Sequence, residues 1–180
     1  MRHVVLVALT AVYPLVVYFG LGHFEPRWLA FLLLALALVR LGASRQPLWW
    51  AIALIAGVLA LSTFLTNLAL PLKLYPVAVN GLLLVLFGAS LAHPPSAIER
   101  LARLTRPDLN PAGVAYTRKV TWVWCCFFAF NGAVSVITAL SSSEATWALY
   151  NGLVAYALMG LLFAGEWIVR QRVMLRSEHA

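Results

Sequence analysis

The sequence predicts an all-α, polytopic membrane protein with six transmembrane helices. Three observations carry that prediction. Of the 180 residues, 63% are hydrophobic and only 11% are charged, against about 25% charged in an ordinary soluble domain. So few polar groups do not cover a water-soluble globule, and lipid must supply much of the solvent. The apolar residues also fall into six blocks, at 4–20, 28–43, 48–65, 74–91, 120–139 and 147–169. Finally, with the N-terminus in the cytoplasm, eleven of the thirteen Lys and Arg residues lie on the cytoplasmic side and only Arg27 and Lys73 on the other. That asymmetry orients multi-pass proteins, and it accounts for the basic character without nucleic acid.

Crossing a ~30 Å hydrocarbon core takes about 20 helical residues, with about 17 as a working minimum. The first block meets the minimum. Arg2 ahead of it imitates a signal peptide, but "YFGLGHFEPRW" offers no small-x-small cleavage site, so the run reads as a retained span. The second block is short, and a snorkelling Arg40 lengthens it. If that block were re-entrant, the N-terminus would lie outside and the charge split would be unchanged, so charge alone leaves five and six spans open. The remaining four blocks are long enough. Only helices satisfy their own backbone in lipid, which fixes the class. Pro14 in the first span and Pro76 in the fourth each follow a tyrosine and predict a kink. "YPLVV" (13–17) and "YPVAV" (75–79) further hint at a three-plus-three inverted repeat.

The one sizeable polar segment is the cytoplasmic loop 92–119. Ser96 and Glu99 have capping-box spacing and predict a helix from Ala97. On it, Ile98 and Leu101 lie one turn apart while Arg100, Arg103 and Arg106 repeat every third residue. The pattern suits a helix lying apolar side down on the anionic inner leaflet, with Arg118 and Lys119 completing a basic surface. An acidic protein such as acyl carrier protein is the alternative occupant of that surface. Asn110-Pro111 reads as the N-cap and first residue of a fifth helix that starts in the cytoplasm and outruns the bilayer.

Polar groups recur inside the spans. Asn80-Gly81, Asn131-Gly132 and Asn151-Gly152 are three Asn-Gly pairs, at depths of about 9, 12 and 6 Å below the outer surface at 1.5 Å per residue. Tyr75 and Tyr150 lie at similar or shallower depth, and Lys73 sits above them. An ammonium or amide facing lipid is costly, so these six residues are expected to face one another across spans four to six. Two readings follow. The asparagines are interhelical glue, with the glycines allowing close approach, or they line an outward-open pocket for a polar substrate or lipid headgroup, with Lys73 as its cation. Glu166, the one acid within a span, stands four residues before Arg170, the spacing of a helical ion pair.

The sequence points away from catalysis and from a metal or cofactor. Ser141, Ser142 and Ser143 have no nearby histidine base, and no phosphate loop or carboxylate pair is present. Cys125 and Cys126 are adjacent on one helix, and the four histidines scatter through termini and loops.

Several of these stretches together resemble a known family. "PLVVYF" (14–19), the lysine opening the fourth span, "P-x-x-x-I-E-R" (94–100), Trp124 with Phe127 and Phe128, Gly132 and the Trp147–Gly152 stretch resemble bacterial intracellular septation protein A. "WCCFFAFNG" and "LYNGLVAYALMGLLFAGEW" are closer to a sister group, small membrane proteins encoded beside aryl-polyene and fatty-acid-like synthases. The resemblance implies a multi-pass protein of the bacterial inner membrane and a non-enzymatic role in envelope biogenesis. Assembly or export of an acyl or aryl-polyene lipid is the role expected, with acyl carrier protein or other envelope-biogenesis membrane proteins as partners. A septation role, and a small transporter or lipid flippase, are the alternatives. The resemblance brings no established active site.

Overall fold

Apolar sequence leaves the backbone one way to satisfy its own hydrogen bonds, and the chain takes it. The computed structural model describes residues 16–21, 23–43 and 47–177, and among them there is no strand. A short helical stretch α1 (16–21) precedes α2 (Pro26–Ala43), α3 (Pro47–Thr66), α4 (Leu70–Lys73) and α5 (Tyr75–Ala92). Then follow α6 (Ala97–Thr105), α7 (Pro111–Ser141), α8 (Glu144–Leu149), a π-helical turn (Tyr150–Val154) and α9 (Ala155–Ser177). Prolines open α2, α3 and α7, positions where their missing N–H would have had no intrahelical partner. α7 begins at Asn110-Pro111 as its sequence predicts, the Asn110 side chain accepting the Gly113 N–H at 2.8 Å.

Four of the described helical runs are long and apolar enough to cross a membrane: Pro47–Thr66, Leu70–Ala92, Pro111–Ser141 and Glu144–Gln171. The apolar part of α2, Pro26–Val39, is shorter. Most of the first predicted span, with Pro14 and the first three residues of the first pentapeptide copy, lies outside the described residues. The fourth predicted span is interrupted at Leu74, and Pro76 stands in the first turn of α5.

α2 packs chiefly on α3, and α5 on α7. One apolar cluster joins α1–α4 to Tyr75, Ala139, Trp147 and Ala148. A second surrounds Val120, Trp124 and Phe128 on α7 and draws in Phe87, Phe127, Met159 and Leu162. The Trp124 ring lies 4.6 Å from that of Phe163 and 5.6 Å from that of Phe128, tilted by 58° and 35°, within the separations at which aromatic pairs attract. The W-x-x-F-F pattern thus has a packing explanation.

α7 is the axis of this arrangement. Thr117, Thr121, Trp124, Phe128, Asn131, Ser135 and Thr138 are all buried, and they follow one another at alternating spacings of four and three. That is a heptad stripe on one helix face. Its residues change from hydroxyls to aromatics to amide and hydroxyls again along the helix, so one seam carries an apolar block between two polar ones.

Candidate functional site

The three asparagines come from different elements, and the fold brings two of them into contact. Asn131 Nδ2 donates to Asn80 Oδ1 at 3.0 Å. The Tyr150 hydroxyl donates to Asn131 Oδ1 at 2.9 Å, and Asn80 Nδ2 donates to the Pro76 carbonyl at 2.8 Å. These bonds form one directed chain from the π turn through α7 to α5. Asn80 and Asn131 are both buried. Close approach is needed where they meet: a Cβ on Gly132 would come within 3.3 Å of Asn80 Cβ. Gly81 has no such role, since a Cβ there would meet nothing within 4 Å.

Asn151 belongs to a second, adjoining network. Its Oδ1 lies 2.7 Å from the Ser135 hydroxyl, which is also 2.8 Å from the Asn131 carbonyl and divides its one hydrogen between the two acceptors. Asn151 Nδ2 reaches the Trp147 carbonyl at 2.9 Å and Thr138 Oγ1 at 3.3 Å. Ser135 thus couples Asn151 to the backbone of Asn131. The π turn explains how this face is kept. Trp147, Asn151 and Ala155 are buried at a strict spacing of four, which overruns the 3.6 residues of an α-helical turn, and one wider turn absorbs the excess.

Lys73 and Tyr75 are buried on the same connection, 9% and 8% exposed. Tyr75 lies in the apolar cluster with Leu72 and Trp147. Lys73 joins the seam through its backbone: its carbonyl accepts the indole N–H of the fully buried Trp147 at 3.1 Å. The residue is 9% exposed, yet its ammonium is not among the enclosed side-chain atoms that lack a partner, so the head reaches the surface of the bundle as a snorkelling lysine's does. Among the described residues no carboxylate pairs with it. Glu25 is engaged by Arg27, Glu99 by Arg103 and Glu166 by Arg170.

Beyond the C-terminal end of α5, α6 starts at Ala97 behind Ser96 and Glu99, the Ser96 N–H donating to Glu99 Oε2 at 3.4 Å. Arg103 grips Glu99 Oε1 through Nε and Nη2 at 2.9 and 2.8 Å and reaches the Pro107 carbonyl at 2.9 Å. Arg100 donates to the carbonyls of Pro95 and His93 at 2.9 and 3.5 Å. Both arginines therefore hold the loop's own fold. Arg106 is exposed at the end of α6, and Arg118 and Lys119 are exposed on α7. Glu166 stands 3.8 Å from Arg170 and accepts from the Tyr116 hydroxyl at 3.4 Å, tying α9 to α7.

Ser135, Thr138 and Trp147 belong to the asparagine seam and were not singled out from the sequence. The signal was available for two of them. Ser135 and Thr138 stand four and seven residues after Asn131, on the same helix face. Chemically, the seam offers amides and hydroxyls already bonded to one another across elements, which suits it to holding helices in register.

The chain matches no protein-family model, no curated protein and no solved structure.

Proposed function

We propose that the chain is a non-enzymatic factor of the bacterial inner membrane that assists assembly or export of an acyl or aryl-polyene lipid. In this reading it has six spans, the first and fourth kinked at Pro14 and Pro76, and both termini lie in the cytoplasm. One observation carries the proposal: the intramembrane amides of Asn80 and Asn131 and the Tyr150 hydroxyl are bonded to one another across three elements. Groups engaged in this way lock α5, α7 and the π turn into one rigid body, as a scaffold for other envelope proteins requires. The resemblance to proteins encoded beside aryl-polyene synthases supplies the pathway.

Lys73 favours a second reading, a small transporter or flippase that receives an anionic headgroup at the outer end of the bundle. Its ammonium reaches the surface of the bundle, and no described carboxylate pairs with it, which leaves a cation accessible to an anionic group. Complementation separates the two readings. Deleting the gene is expected to lower the surface-exposed acyl or aryl-polyene product while its synthase stays active. In a scaffold, Lys73→Met at normal protein abundance restores the product. In a transporter, the same variant inserts normally and restores nothing. Unchanged product after deletion, with a division defect, would replace both with the septation reading.

Topology has its own test. Reporter fusions after Ser142 are expected to read periplasmic, and fusions after Arg106 or Arg176 cytoplasmic. A fusion near Glu25 is expected to read periplasmic. A cytoplasmic reading there removes one span and leaves five.

A further inference from the structure

α6 is packed the wrong way round for a helix bordered by water. Its acidic residue, Glu99, is 6% exposed, while Leu101 and Leu104 are 58% and 81% exposed. Around the helix, Ile98, Glu99 and Ala102 form the docked side, and Leu101 and Leu104 share the opposite one with Arg100 on its flank. The same nine residues would bury both leucines if the helix turned about its axis, yet its orientation is pinned. The Ala97 N–H donates to Ser90 Oγ at 2.8 Å and the Ile98 N–H to Thr121 Oγ1 at 3.3 Å. Two unpaired N–H groups of the first turn are thus satisfied by side chains of α5 and α7. Ile98 packs into the Trp124 aromatic cluster. The Arg103 grip on Glu99 and Pro107 closes the other end.

We propose that α6 is a monolayer anchor: Leu101 and Leu104 insert among the lipids of the cytoplasmic leaflet, and Arg118 and Lys119, on the helix that α6 packs against, bind anionic phosphates of the same leaflet. Height supports this. Ser90 and Thr121, which hold the start of α6, stand at the inner ends of the apolar stretches of α5 and α7, so the helix lies at the level of the headgroups. Charge supports it too. Glu99 is buried and engaged by Arg103, and the exposed Asp108 lies beyond the end of α6, while Arg118 and Lys119 are exposed, without hydrogen-bond partners among the described residues. An exposed apolar pair on α6 and free cations on the adjoining α7 are together complementary to an anionic phospholipid surface. The assignment differs from a simple basic stripe, because Arg100 and Arg103 fold the loop and leave the phosphate contacts to α7. It is independent of what the asparagine seam does.

The test uses the full chain in bilayer nanodiscs, with Cys125→Ala and Cys126→Ala and a single spin label at Leu101→Cys, Leu104→Cys or, as a control, Asp108→Cys. In phosphatidylglycerol discs the two leucine-site labels are expected to be accessible to oxygen and shielded from an aqueous nickel reagent, while the Asp108 label shows the reverse. Arg118→Gln with Lys119→Gln is expected to lower the preference for phosphatidylglycerol over phosphatidylcholine by roughly fivefold per charge removed. Leucine-site labels accessible to the nickel reagent overturn the anchor. Labels shielded from both reagents also overturn it, in favour of a protein contact on the same face. An unchanged lipid preference in the double glutamine variant overturns the assignment of Arg118 and Lys119. Intact near-ultraviolet circular dichroism of each labelled variant establishes that the fold was present when it was measured.

Discussion

Replacing Trp147 with alanine is expected to destabilise the folded bundle by about 3–5 kcal/mol, the usual cost of truncating a large buried aromatic. Trp147 is fully buried, packs in the cluster that joins α1–α4 to α8, and its indole N–H holds the Lys73 carbonyl at 3.1 Å. Its loss opens a cavity and releases the link between the two halves of the chain. Trp147→Phe separates those effects. It keeps most of the volume and removes the hydrogen bond, so it is expected to cost the bond's ~1 kcal/mol plus a small packing penalty. Unfolding by dodecyl sulfate in mixed micelles reads both variants. A Trp147→Ala protein as stable as the parent would show that α8 does not hold the first half of the chain in place.

Asn131→Ala is expected to cost about 1–4 kcal/mol, two interhelical bonds on the scale measured inside membranes. The substitution orphans both Asn80 Oδ1, which loses its donor, and the Tyr150 hydroxyl, which loses its acceptor. Tyr150→Phe removes one of the two bonds and is expected to cost roughly half as much. In the double variant the penalties should fall short of their sum, because one bond is shared. Additive penalties in the dodecyl sulfate titration would mean that the two side chains do not act as a chain. An Asn131→Ala protein of unchanged stability that fails to complement would overturn the scaffold reading and return the seam to ligand binding.

Much of the candidate site was legible one residue at a time and illegible as a set. Asn80, Asn131 and Asn151 stand out because amides are rare in apolar runs and pay for exposure to lipid. That they turn inward follows from this cost alone. Which of them meet does not. Asn131 bonds Asn80, whereas Asn151 is bonded to Ser135, Thr138 and the Trp147 carbonyl. That choice depends on the rotation of each helix about its axis, and rotation is set by packing on neighbours that sequence spacing does not identify. The heptad stripe of α7 was readable in advance, since it runs through Thr117, Thr121, Trp124, Phe128, Asn131, Ser135 and Thr138 on a single helix. The π turn was not, because a wide turn differs from an α-turn in hydrogen bonding and not in residue type.

By itself the sequence determined what depends on solvent and on local chemistry. Too few charges for a water-soluble globule made the chain a membrane protein, and the backbone's need for hydrogen bonds in lipid made it helical. A local cap sets the start of α7, because Asn110-Pro111 acts within one turn, and the Ser96–Glu99 spacing marks the start of α6, where Glu99 accepts the Ser96 N–H. Only the tertiary structure decided which face each helix turns toward its neighbours. In lipid the hydrophobic effect gives weak guidance, since a leucine is nearly as well solvated by acyl chains as by another helix. Orientation therefore falls to a few polar contacts, Asn131 with Asn80 in the asparagine seam and Ser90 and Thr121 at the start of α6. The burial of Glu99 and exposure of Leu104 follow from those contacts, against the pattern that apolar periodicity predicts.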